Sequence, residues 1–125
     1  MGNLTAERVT VLVPAQDFAM SKAFYAALGW TVTDVAPGLA RMELAGTRLM
    51  LQDFYVKDHA GNFVIQVRVQ DAHAWHEHIL AVLKTGKFGE ARSIPPRQEP
   101  WSPLTTYAID PSGILIHFAQ WPEGQ

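Results

Sequence analysis

The chain has 125 residues, of which 48% are hydrophobic and 18% charged, and its formal net charge at pH 7 is −2. This length and composition predict one globular domain over residues 1–125 and disfavour disorder and coiled coil. The weak acidic charge disfavours nucleic-acid and membrane partners, and the absence of cysteine excludes disulfides, thiolate nucleophiles and thiolate metal sites.

The first predicted elements are a strand and a helix. Residues 8–13 alternate in polarity, which predicts a half-buried strand with three valines on its buried face, Val9, Val11 and Val13. Asp17 is a residue type that caps helix N-termini and Gly29 one that follows helix C-termini, so we predict a helix between them. The residues expected to be buried on this helix recur at helical spacing: Met20, Phe24, Ala27 and Leu28.

Three β-prone segments follow this helix, at residues 30–35, 39–44 and 48–54. The short turns between them contain glycine, which favours antiparallel neighbours. Residues 55–62 are polar and unpatterned, and we interpret them as a connection between two halves of the chain.

The same order of elements then returns. A strand is predicted at residues 63–69 and a helix between Asp71 and Gly86. Three more strands are predicted at residues 89–94, 104–109 and 114–119. Aligning Asp17 with Asp71 gives an internal repeat of about 54 residues, a length typical of duplicated supersecondary units.

The repeat predicts an α+β fold of two tandem βαβββ modules, at about residues 6–55 and 62–121. Each module would have its helix on one face of a curved mixed sheet, and the sheets would surround a concave cleft. The faces away from the helices mix polar and apolar side chains, which suits a ligand cleft. A solvated sheet face or a subunit interface is the alternative.

The last predicted strand carries a candidate site residue. Asp110-Pro111-Ser112-Gly113 is a tight-turn sequence, and after it Ile114, Ile116 and Phe118 share one face while His117 lies on the other. A single strand histidine is usually structural or exposed, so the candidate depends on its neighbours. The residues predicted on the same concave face are Arg8, Thr10, Gln52, Phe54, Gln66, Arg68 and His117.

Three histidines, His73, His76 and His78, lie on the second predicted helix. His73 and His76 can share a helix face, but His78 points away from His76. We therefore interpret them as part of a solvated helix face rather than as a metal site.

Three segments together resemble the vicinal-oxygen-chelate superfamily, which includes glyoxalase I, extradiol dioxygenases and bleomycin-resistance proteins. They are residues 13–30 (VPAQDFAMSKAFYAALGW), 48–53 (RLMLQD) and 98–118, which ends in DPSGILIHF. The similarity is greatest to the bleomycin-resistance proteins. It implies a homodimer with ligand clefts between curved sheets. It also favours Trp101, in a proline-rich loop, as a wall of the cleft rather than a plug in the core.

The resemblance also implies positions for metal ligands, because metal-dependent members of the superfamily bind a divalent ion through residues on four strands. Those positions fall on Thr10, Gln52, Val64 and His117. Valine has no donor atom, threonine offers only a neutral hydroxyl, and no carboxylate is present to balance a dication. We therefore expect no metal, no cofactor and no catalytic residue.

The favoured hypothesis is a metal-free, homodimeric protein that binds a small organic molecule and sequesters an antibiotic or toxin. One alternative is a divalent-metal-dependent glyoxalase-like lyase, isomerase or dioxygenase, and another is a structural or regulatory module with a vestigial cleft. Arg8 and Arg68 on the concave face favour anionic or neutral aromatic ligands over a cationic drug. The sequence has neither a secretory signal pattern nor a membrane-spanning apolar run, so a cytoplasmic location is expected.

Overall fold

A computed structural model describes residues 2–123, and over this range the chain forms eight strands and three helices. Met1 and residues 124–125, the ends of the predicted domain, lie outside the described residues. The elements in chain order are β1 (Leu12–Pro14), α1 (Phe18–Leu28), β2 (Thr31–Ala36), β3 (Leu39–Leu44), β4 (Thr47–Gln52), α2 (Lys57–Ala60), β5 (Val64–Arg68), α3 (Ala72–Leu83), β6 (Arg92–Arg97), β7 (Leu104–Ile109) and β8 (Leu115–Gln120). None of these helices is long and apolar enough to cross a membrane.

The strands form two mixed, curved and open sheets of the same topology. The first sheet has the order β1-β4-β3-β2 and the second the order β5-β8-β7-β6. In each sheet the first strand of the module pairs in parallel with the last, and the remaining pairs are antiparallel. The predicted α+β fold of two βαβββ modules is thereby confirmed.

Aspartates cap both long helices at the predicted positions. The Asp17 carboxylate accepts a hydrogen bond from the Met20 N–H at 3.1 Å, and Asp71 accepts one from the Ala74 N–H at 3.0 Å. Each bond satisfies one of the backbone donors that a helix N-terminus leaves without an intrahelical partner. At the other end of α1, Gly29 has φ 121°, a conformation that favours glycine.

One hydrophobic core joins the two modules through their helices. Phe24 of α1, Ile79 of α3 and Phe118 of β8 are fully buried members of the same cluster. α1 packs on the first sheet, α3 packs on the second sheet, and the two helices contact each other. The face of each sheet away from the helices, called the open face from here on, is therefore turned outward in a single chain.

The predicted burial of the first strand is wrong for most of its length. Within predicted residues 8–13, the strand begins only at Leu12, and Val9 and Val11 are 90% and 47% exposed. Only Val13 is buried, because β1 pairs with β4 over three residues and, within residues 2–123, the contact of the preceding chain with β4 ends at Val11, whose carbonyl accepts a hydrogen bond from the Met50 N–H.

The predicted buried stripe of α1 is also displaced. Ala27 is exposed, whereas Ser21 and Tyr25 are fully buried beside Phe24 and Leu28. Periodicity predicted the helix correctly but not the burial of Ser21 and Tyr25, because a turn of the second module covers that side of the helix.

Most element boundaries differ from the sequence prediction by one to three residues. The expected connection at residues 55–62 contains α2, and α3 ends at Leu83 rather than near Gly86. β6 starts three residues later than predicted and includes Pro95 and Pro96. These prolines lie at an irregularity on an edge strand, where a missing backbone donor is tolerated.

A buried hydrogen-bond network holds the two modules together. The Tyr25 hydroxyl donates to Asp110 Oδ2 at 2.7 Å, and the N–H groups of Ser112 and Ile114 donate to Asp110 Oδ1 at 2.7 and 2.9 Å. The Ser112 hydroxyl oxygen accepts a hydrogen bond from the Gln16 N–H at 2.8 Å. The turn at the start of β8 is thus bonded to residues around α1.

Burial raises the pKa of Asp110 above its ordinary value of 3.8, although the hydrogen bonds from Tyr25 and the turn N–H groups oppose the shift. A carboxyl group with a raised pKa binds its proton more tightly in the folded state. Its contribution to stability is fully present below pH 3.8 and is lost as the pH rises through the raised pKa.

Replacing Tyr25 with Phe is expected to lower the free energy of unfolding by about 2 kcal/mol, because it removes a buried hydrogen bond to a carboxylate. Urea denaturation at neutral pH measures the change. Tyr55→Phe is the matched control, since Tyr55 makes no side-chain hydrogen bond within residues 2–123 and the same atom is removed. Equal losses in the two variants would contradict this role for the Tyr25 hydroxyl.

Candidate functional site

The open face of the second sheet brings two of the candidate residues side by side. Gln66 on β5 is the partner of His117 on β8, and His117 is also opposite Tyr107 on β7. Tyr107 in turn is opposite Ile94 on β6. Partners on adjacent strands project to the same face, so Gln66, His117, Tyr107 and Ile94 form one transverse line, called the His117 row.

His117 is held by its neighbours in the neutral form. Its ring meets the Tyr107 ring edge to face, with centroids 5.0 Å apart and planes at 83°. Partial burial lowers the pKa of His117 below 6.5. A neutral imidazole offers one donor and one acceptor, so at neutral pH the row has hydrogen-bonding capacity without a fixed charge.

The rows on either side of the His117 row differ in character. On one side, Val64 of β5 is opposite Leu115 of β8, and the Val64 side chain is 52% exposed. On the other side, Arg68 is opposite Ala119, and the Arg68 guanidinium lies 5.9 Å from the centre of the Trp121 ring. The open face therefore combines an apolar strip, a hydrogen-bonding strip and a cation beside an aromatic ring.

Four other candidate residues lie in the first module, in or near its sheet. Gln52, at the end of β4, is half-buried and opposite Leu39, and Phe54 just after it is 58% exposed. Thr10 and Arg8 precede β1 and are not in a strand, with Thr10 half-buried and Arg8 exposed. Among residues 2–123 no strand pairing joins the two sheets. The structure thus brings Gln66, Arg68 and His117 onto one surface, places Gln52 and Phe54 at the end of β4, and leaves Arg8 and Thr10 in the segment before β1.

Trp101 does not fill the core. Its side chain is 81% exposed in the loop between β6 and β7. The loop itself is held by the Gln98 side-chain amide, which donates to the carbonyl oxygen of Ser102 at 2.7 Å. An ion pair of 3.2 Å between Arg97 and Glu99 adds to this restraint. The large Trp101 ring is therefore exposed on a loop that these contacts restrain.

The residues at the inferred metal positions do not fit a divalent ion. Gln52 lies on the first sheet and Thr10 in the segment before that sheet, while Val64 and His117 lie on the second sheet, and Val64 has no donor atom. Across residues 2–123, no group of three or more histidine, cysteine, aspartate or glutamate side chains is placed to hold a metal.

The histidines of α3 make structural hydrogen bonds instead. His76 Nδ1 is 2.9 Å from the Ser93 hydroxyl on β6. His78 Nε2 donates to the Leu28 carbonyl at the end of α1, at 3.0 Å. His73 is exposed. The interpretation as a solvated face holds for His73, whereas His76 and His78 tie α3 to its neighbours.

Tyr107 is the member of the site that the sequence analysis missed. Its strand was predicted with the correct bounds, Leu104–Ile109, but no role was given to the residue. A signal was available: a tight turn at Asp110–Gly113 pairs Ile109 with Leu115 and so places Tyr107 opposite His117.

The model of the glyoxalase/bleomycin resistance protein/dioxygenase superfamily matches residues 8–118 of the chain. No curated protein sequence matches the chain significantly.

Solved structures of the same fold include proteins that bind antibiotics. A bleomycin-binding protein complexed with bleomycin has a TM-score of 0.74 and 21% identity, over 94% of this chain and all of that one. The bleomycin-binding protein of Streptomyces verticillus, complexed with copper(II)-bleomycin, has a TM-score of 0.73 and 17% identity, over 96% of this chain and 100% of that one. The antibiotic-binding protein TnmS3 of a Streptomyces species has a TM-score of 0.67 and 22% identity, over 96% and 100%.

The pKa of His117, measured by NMR titration, is expected to lie below 6.5 and to rise towards that value in Tyr107→Ala, because removing the tyrosine ring rehydrates the imidazole. Thr33→Ala, on the first sheet, is the control and should leave the titration unchanged. An unaltered pKa in Tyr107→Ala would show that the tyrosine does not desolvate the histidine.

Proposed function

Because the chain belongs to the glyoxalase/bleomycin resistance protein/dioxygenase superfamily, we propose that it binds a small organic molecule without a metal ion and acts by sequestering an antibiotic or toxin. The observation that carries this proposal is the open face of the second sheet. There the His117 row lies beside exposed apolar surface at Val64. A few oriented polar groups on an apolar surface are typical of small-molecule sites. The antibiotic-binding proteins of the same fold support the proposal.

A second copy of the chain completes the site. In one chain the two open faces are turned outward, so Gln52 and Phe54 cannot face His117 across a cleft. In a two-fold symmetric dimer, the first-sheet face of each copy lies opposite the second-sheet face of its partner, and symmetry makes two such clefts. The exposed Phe54 and Val64 side chains, at 58% and 52%, are apolar surface for this contact.

The ligand is an anionic or neutral aromatic compound. His117 brings no positive charge at neutral pH, while Arg68 and Arg8 supply guanidinium groups on the two surfaces. An anion 4 Å from a guanidinium gains about 4 kcal/mol at a surface-like dielectric before desolvation is counted. Trp101 provides a large ring on which a planar ligand stacks.

Sedimentation equilibrium at micromolar concentration is expected to give twice the chain mass of 13.9 kDa. Phe54→Glu should shift the equilibrium towards the monomer, because it puts a charge into the proposed contact. Leu80→Glu is the matched control, since Leu80 is 37% exposed on α3 and lies outside that contact. A wild-type mass of 13.9 kDa at every concentration would rule out the completed cleft.

Binding of 2-naphthoate or 2-naphthol is expected to quench tryptophan fluorescence and to be tighter than binding of bleomycin. Adding a metal chelator should not change the affinity for either naphthyl compound. Trp101→Ala should weaken their binding by about tenfold, the effect of losing roughly 1.4 kcal/mol of stacking, and should leave the melting temperature nearly unchanged.

Two results would overturn this function. Loss of naphthoate binding on chelation, restored by a divalent metal, would favour the metal-dependent alternative. Micromolar bleomycin binding that is unaffected by Arg68→Ala would show that the charge preference is wrong.

A further inference from the structure

A second hollow lies where the two modules meet, and one chain forms it completely. It has a volume of about 490 Å³, within the range of small-molecule pockets. Tyr55 and Lys57 border it from the segment after β4, Arg92 borders it from β6, and Ile109 and Leu115 border it from the strands that flank the Asp110 turn. We call it the junction pocket. Its lining shares Leu115 with the apolar strip of the open face but does not include Gln66, His117 or Trp101 of the proposed cleft.

The junction pocket carries two cations without protein partners. Lys57 and Arg92 make no ion pair and no side-chain hydrogen bond with any of residues 2–123. Glu90 also lines the pocket. The Asp110 oxygens are already occupied by the Tyr25 hydroxyl and two turn N–H groups. The formal charges of the lining therefore sum to zero, and the Asp110 charge is the one already engaged by hydrogen bonds.

The rest of the pocket suits an apolar body. Ile109 and Leu115 are paired neighbours on the open face of the second sheet, and Pro111 adds a ring with no N–H group. An adjoining hollow of about 530 Å³ shares Tyr55 and Lys57, so the space continues beyond the lysine.

We propose that the junction pocket binds a small organic monocarboxylate, with the carboxylate at Lys57 and Arg92 and the apolar body on Ile109 and Leu115. A guanidinium fork matches the two oxygens of a carboxylate, and an ammonium group adds a third donor site. A single negative charge is favoured over two because Glu90 repels the second. This site does not depend on a dimer or on the cleft of the proposed function.

Benzoate and benzamide form the test pair, because they share a ring and differ in charge. In a ¹⁵N-labelled sample of the full chain, benzoate is expected to shift the amide signals of Ser112, Gly113 and Leu115 in a saturable way. Benzamide is expected to bind at least about fivefold more weakly, as the loss of charge-assisted hydrogen bonds requires. Equal affinity for the two compounds would overturn the proposal.

Matched variants test the role of each charge. Arg92→Gln and Lys57→Gln should each weaken benzoate binding by about fivefold. The controls are Arg97→Gln, on the same strand as Arg92, and Lys84→Gln, after α3. Each control removes a positive charge outside the pocket and should change the benzoate affinity by less than about twofold.

Glu90→Gln should tighten benzoate binding, because it removes a neighbouring negative charge. Weaker binding in Glu90→Gln would contradict the charge assignment. Equal losses in Arg92→Gln and Arg97→Gln would show a general charge effect instead of a site. Benzoate-induced shifts confined to Gln66 and His117 would place the anion in the proposed cleft and also refute the junction site.

Discussion

The hydrogen bond from the Tyr25 hydroxyl to Asp110 is the contact on which the rest of the arrangement depends. It joins a helix of the first module to the turn that starts the last strand of the second. The same carboxylate accepts hydrogen bonds from the N–H groups of Ser112 and Ile114, and so also shapes that turn. Because the turn sets the pairing of β7 with β8, one buried carboxylate both fixes the modules together and places His117 opposite Tyr107.

Because the modules are joined through their helices, the sheet faces away from the helices are the surfaces open to a ligand. The helix-covered faces share one core, so the opposite faces of both sheets lack a cover within the chain. Exposed apolar side chains remain on or beside those faces: Val64 of β5 is 52% exposed, and Phe54, just after β4, is 58% exposed. Exposed apolar surface beside polar groups is characteristic of interaction sites, which is why the proposed function needs a second copy of the chain.

Local charge matters more than net charge for the two proposed ligand surfaces. A total of −2 does not locate a ligand site, whereas burial lowers the pKa of His117 and so favours a neutral imidazole at the centre of its row. At the module junction, Lys57 and Arg92 line a pocket and form no ion pair with any described residue. One surface therefore offers stacking and neutral hydrogen bonds, whereas the other offers positive charge in a hollow complete in one chain.

The sequence resemblance predicted the superfamily correctly. That prediction depended mostly on a few residues in three segments of the chain. The segments that contain Asp17, Gly29 and the Asp110 turn are the ones that specify a helix start, a helix end and a hairpin. The predicted site residues, in contrast, lie on strand faces or loops, and their positions depend on how neighbouring strands pair. Their division between two sheets follows from the topology, in which no strand pairing within residues 2–123 connects the modules.

Features that depend on neighbours a few positions away could be predicted from the sequence. Asp17 and Asp71 cap their helices, and Ile114, Ile116 and Phe118 are buried together, because capping and strand alternation are local. Only the tertiary structure decided which faces are covered. Val9 is exposed because no strand lies beside it, whereas Tyr25 is buried because a turn 85 residues away packs against it. Periodicity shows that an element has an apolar face, but contacts distant in sequence determine which residues that face finally buries.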